Sequence, residues 1–102
     1  MRFFDRDGKP LEMMEWARLF EDPEYQQVEL TIVGEARVST VWLGLDHAIG
    51  IGIFGFPQPP LIFETMIFGG PCDTQCWRYH TETAAREGHS VAVMIAEGVT
   101  VN

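Results

Sequence analysis

Apolar and polar positions alternate, cluster and break in an order that predicts most of the elements of this chain. Met13, Trp16, Ala17 and Phe20 are spaced i, i+3, i+4, i+7, so they predict an N-terminal helix opened by Pro10. Asp22-Pro23 stops it, and Asp22 is placed to cap a further turn through Tyr25. From Gln27 to Val33 the pattern has a period of two. Val28, Leu30 and Ile32 share one side, and Gln27, Glu29 and Thr31 the other, which predicts a half-buried strand. Gly34-Glu35-Ala36 predicts a hairpin turn. Two runs apolar on both faces follow, Val38–Leu45 and Leu61–Phe68, and predict a pair of core strands that are central or covered on both sides. After the Gly69-Gly70-Pro71 turn, Gln75–Thr81 predicts a fourth strand, with Trp77 and Tyr79 on one face and Cys76, Arg78 and His80 on the other. Thr81 is a natural N-cap for a helix from Glu82 to Ala96, ended by Gly98. Its inner stripe is Ala84, Gly88, Val91, Ala92 and Ile95. Gly88 costs about 1 kcal/mol against alanine inside a helix, so close packing on the sheet is its expected motive. Phe3-Phe4 predicts a short edge strand, and Asp5–Lys9 a turn. The expected fold is α+β: a four-stranded antiparallel meander with an N-terminal and a C-terminal helix packed on it, in one domain spanning residues 1–102.

Between the two core strands lies the stretch 48–60, apolar and rich in glycine and proline. It is not a membrane span, because a spanning helix needs about 20 apolar residues and Pro57, Pro59 and Pro60 would break one. A loop of this size does not bury Ile49, Ile51, Ile53, Phe54 and Phe56 by itself. These residues either fold back over the sheet or form a strand-like arm in a partner, and the second is the favoured reading, a contact surface open to self-association.

Charge narrows the function. The chain has 15 acids against 7 bases, a net charge of −8. Nucleic-acid backbones are held by Lys and Arg, so direct nucleic-acid binding is not expected; an acidic surface serves solubility or meets a basic protein partner. The densest acidic patch is Glu12, Glu15, Glu21, Asp22 and Glu24, extended by Glu29, against Arg18. The charged residues that follow Met1 give no secretory signal, so a cytoplasmic location with reduced Cys72 and Cys76 is the expectation.

Catalytic motifs are weak throughout. Asp46 and His47 are sequence neighbours, which in a strand point to opposite faces and form no dyad. Cys72, Cys76, His47, His80 and His89 are zinc-type ligands, but C-x3-C without a second pair is a poor signature. Asp5, Asp7 and Gly8 resemble the start of a calcium loop, yet Lys9 follows and the bidentate glutamate is missing. No nucleophile elbow, phosphate loop or H-E-x-x-H is present. Glu64, mid-strand among apolar residues, is the carboxylate best placed for a shifted pKa. No metal, cofactor or catalytic residue is assigned. Asp46, His47, Glu64 and His89 form the candidate polar site.

The segments STVWLGLDH (Ser39–His47), PLIFETMIFGG (Pro60–Gly70) and RYHTETAAREGH (Arg78–His89) follow the opening FFDRDGKPLEMMEWARLFEDPEY (Phe3–Tyr25). In that order they resemble a family of small proteins encoded by phages, prophages and bacteria, which has no established activity. The stretch 48–59 is longer and more apolar than the family's usual link. The resemblance implies a cytoplasmic, phage-associated protein and marks Trp42, Asp46, His47, Glu64, Thr65 and His89 as a place to look for a site. The expected function is therefore a non-enzymatic binding protein, such as an anti-defence inhibitor engaging a basic surface of a host protein. The alternatives are an oligomeric scaffold assembled through 48–60, and a small metal-dependent enzyme using Asp46, His47 and Glu64.

Overall fold

The computed structural model describes residues 2–46 and 59–98. The chain opens with β1 (Arg2–Phe4) and β2 (Pro10–Leu11), joined by a turn in which the Asp5 carboxylate accepts the backbone N–H of Asp7 and of Lys9. Pro10 therefore belongs to a strand and does not open the helix. Helix α1 (Met13–Phe20) starts three residues later, after an extended Glu12 whose side chain makes no cap. The short α2 (Pro23–Gln26) is capped by Asp22, whose carboxylate accepts the N–H of Glu24.

Strands β3 (Gln27–Val33), β4 (Ala36–Trp42), β6 (Phe63–Phe68) and β7 (Cys76–Tyr79) form the antiparallel sheet β3-β4-β6-β7. The predicted strand through Leu45 breaks at Gly44, which has φ +68°. A Cβ there would lie 2.3 Å from the Trp42 indole and 2.8 Å from the Phe4 carbonyl, so glycine is required by both conformation and space. Beyond the break, β5 (Leu45–Asp46) pairs with β1 in a second sheet, β2-β1-β5. The Phe3-Phe4 strand is thus its middle strand and not an edge.

Helix α3 (Glu82–Ala96) covers one face of the larger sheet. Thr81 caps it by accepting the N–H of Ala84. Its buried stripe is Ala85, His89 and Ala92, whereas the predicted Val91 is 41% exposed. Gly88 meets the ring of Tyr79: a Cβ there would lie 2.2 Å from the phenol oxygen. Val38, Thr40 and Trp42 of β4 and Phe63, Thr65 and Ile67 of β6 are buried beneath the helix. Helix α1 adds a row of rings to the Trp42 end of this core. Phe3 contacts Trp16, Trp16 contacts Phe20, and Phe20 reaches Trp42, with centroids 4.9–6.4 Å apart.

One departure governs the molecule's surface. The register of β3 against β4 shifts between Gln27 and Glu29, a β-bulge. The extra residue reverses the alternation: Val28 is buried, but Leu30 and Ile32 turn outward at 49% and 66% exposure. Glu29 and Thr31 face the helix instead. The sheet face away from α3 therefore carries Leu30, Ile32, Met66 and Phe68 uncovered or half covered, and β4 and β6 are central without being covered on both sides.

Candidate functional site

Thr40 and Thr65, two of the buried polar residues, gather around a third, His89. Cross-strand pairing sets Thr40 beside Thr65, and their hydroxyls hydrogen-bond. Thr40 Oγ1 lies 2.7 Å from His89 Nδ1, and Thr31 Oγ1 2.9 Å from Nε2. A neutral imidazole offers one donor and one acceptor, and hydroxyls supply either complement, so both nitrogens are satisfied without a charge. Burial pushes the His89 pKa down; the nearby Glu29 carboxylate opposes this and the Arg86 cation adds to it. Glu29 Oε2 stands 3.6 Å from Nε2. An ion-pair chain continues outward from Glu29 to Arg86, from Arg86 to Glu82, and from Glu82 to Arg6. Arg6 also donates to the Tyr25 carbonyl, so the first turn of the chain is fastened to α3. Arg6, followed by Arg86, holds the Glu82 carboxyl below the usual range. His89 is 0% exposed, so the seam joins helix to sheet and offers no open face to a substrate.

Among the described residues the candidates Asp46, Glu64 and His89 are not brought together. Asp46 is buried at the end of β5, ion-paired with Arg2, whose guanidinium also lies over the Phe4 ring. Glu64 lies on the opposite side of the sheet from His89 and accepts from Arg78 Nε at 3.0 Å. His47 lies outside the described residues, as do Ile49, Ile51, Ile53, Phe54 and Phe56, so the proposed loop interface is not described. The surrounding motif Trp42-Leu43-Gly44-Leu45-Asp46 has a structural role at each polar point. Trp42 Nε1 donates to the Phe4 carbonyl, and the Leu43 carbonyl accepts from Trp16 Nε1.

The cysteines are free and separated by the sheet. Cys72 Sγ faces the Ile95 carbonyl near the end of α3, whereas Cys76 is exposed on the open face. Partial burial, then the Glu64 carboxylate, pushes the Cys76 thiol up, which disfavours the nucleophilic thiolate at neutral pH. Among the described residues no group of three His, Cys, Asp or Glu side chains is placed to hold a metal ion, and no helix is long and apolar enough to cross a membrane.

Two surfaces remain. Glu12, Glu15, Glu21, Asp22 and Glu24 are all exposed along α1, α2 and their caps. Met13 and Met14 stand among them at 59% and 75% exposure. Met13 was expected on the inner face; the later start of α1 leaves it on the outer end of the helix. Beside it runs an open groove of about 430 Å³ whose walls include Phe3, Pro10, Leu11, Glu12 and Met13. The second surface is the open sheet face, which the bulge makes apolar. Sequence alone missed it because strict alternation sends Leu30 and Ile32 inward. It missed the threonine seam too, whose signal is Thr40 and Thr65 at inward-facing strand positions, with His89 on the helix that covers them. No family model, curated protein or solved structure matches this chain.

Proposed function

We propose that this chain is a non-enzymatic binding protein whose acidic helical surface takes a basic, partly apolar surface of another protein. The observation that carries this is the pairing of exposed methionines with exposed carboxylates on α1 and α2. Methionine is unbranched and polarizable, so it adapts to irregular apolar partners. The carboxylates around it select a basic rim and speed encounter. The net charge of −8 acts in the same direction at longer range. The resemblance to phage proteins supports a narrower version, an anti-defence inhibitor. Such a row of carboxylates presents the charge that a host nucleic-acid-binding groove is built to meet.

The test is quantitative capture of proteins from a bacterial host lysate over a salt series. Three forms are compared: wild type, a charge-reversed form (Glu12→Lys, Glu15→Lys, Glu24→Lys) and a polar form (Met13→Ser, Met14→Ser). Capture of a basic partner that fades with salt, is lost on charge reversal and weakens about tenfold in the polar form is expected. Capture indifferent to both salt and charge reversal sinks the proposal.

A further inference from the structure

We infer that the open face of the four-stranded sheet is a homodimer surface, on which a second copy of this chain packs sheet against sheet about a two-fold axis. Among the described residues nothing covers this face: Ile32 and Leu30 of β3 and Phe68 of β6 are 66%, 49% and 40% exposed, Met66 is half-buried, and Arg37 and Ser39 of β4 stand between the two strands. Aligned packing of two such faces about 10 Å apart is how antiparallel sheets ordinarily cover one another.

The choice of a second copy rests on charge. Two chains of net charge −8 repel, so they can meet only where carboxylates are kept away. This face meets that condition. Among its described strand residues Glu64 is the sole carboxylate, and Arg78 neutralises it. Arg37 lies over the Phe68 ring, 4.9 Å from its centroid, so the face is slightly positive within an acidic molecule. A basic partner would be drawn to the acidic helices and not here. A second copy gains the apolar contact without opposing uncompensated carboxylates.

Size sets the strength. Four strands about 4.8 Å apart and six residues at about 3.3 Å make a plate of about 20 by 20 Å, or about 400 Å². A standard stable interface buries about 800 Å² per partner, so the dimer is weak, with a dissociation constant of about micromolar or above. Its salt response is the reverse of a charge-driven complex: screening the repulsion between the acidic bodies tightens it.

The experiment is sedimentation velocity on the full chain across a wide concentration range, at low and at high salt. A monomer–dimer equilibrium that tightens with salt is expected. Ile32→Glu, which adds an unpaired carboxylate to each copy's face, is expected to weaken it about tenfold or more with an unchanged circular dichroism spectrum. Leu30→Glu serves as a second variant on the same face. A monomer at every concentration overturns the inference, and so does association that weakens with salt. It is equally overturned if Ile51→Ser with Ile53→Ser abolishes the dimer while both face variants leave it intact.

Discussion

At the scale of single residues, the packing around two glycines and one histidine makes firm demands. Gly44→Ala must place a methyl group inside the Trp42 indole at a backbone φ of +68°, so it is expected to cost about 3 kcal/mol or more in a urea unfolding curve. Gly88→Ala would gain about 1 kcal/mol of helix propensity, but the clash with Tyr79 outweighs it, so the variant is less stable. Combining it with Tyr79→Ser should restore part of the loss beyond additivity, which a double-mutant cycle measures. His89 gives a pH signature. Its folded pKa is depressed, so the native state binds less proton than the unfolded chain. Its contribution is fully present above the ordinary histidine value of about 6.5 and drains away as pH falls below that, through the folded value. His89→Gln should flatten stability against pH in this window. A further loss below the ordinary carboxyl range remains, because the Glu82 pKa is also depressed. An unchanged slope between pH 7 and 5 in the variant would place the titration elsewhere.

At the scale of elements, most of the chain was legible where one local signal decides. Thr81, the Glu82–Ala96 helix, the Asp22 cap and the four antiparallel strands follow from capping chemistry and periodicity. Thr81→Ala should cost about 1 kcal/mol, the usual worth of an N-cap. Two of the failures share a cause, a single residue whose effect depends on a partner strand. One extra residue at the bulge inverts the two sides of β3, and Gly44 hands the chain from one sheet to the other. The inversion is measurable. Were Ile32 in the core, Ile32→Thr would cost about 2 kcal/mol or more; at 66% exposure it should stay within about 0.5 kcal/mol in thermal unfolding. The candidate site was legible as residues but not as an arrangement. Glu64 and His89 were both visible in the sequence, yet only the strand register shows that the sheet lies between them.

At the scale of the whole molecule, the fold separates two chemistries that composition merges. Five of the 15 acids stand exposed on α1, α2 and their caps beside two exposed methionines, while the open sheet face carries one paired carboxylate and several apolar residues. The two proposals predict opposite salt responses, so partner binding and self-association can be told apart in one sample. The most direct test of the proposed role is the salt dependence of binding between this chain and a basic protein recovered in the lysate capture, measured beside the form reversed at Glu12, Glu15 and Glu24. Wild-type affinity that falls steeply as salt rises, with binding lost in the reversed form, is the predicted result. Equal affinity of the two forms at every salt concentration would contradict it.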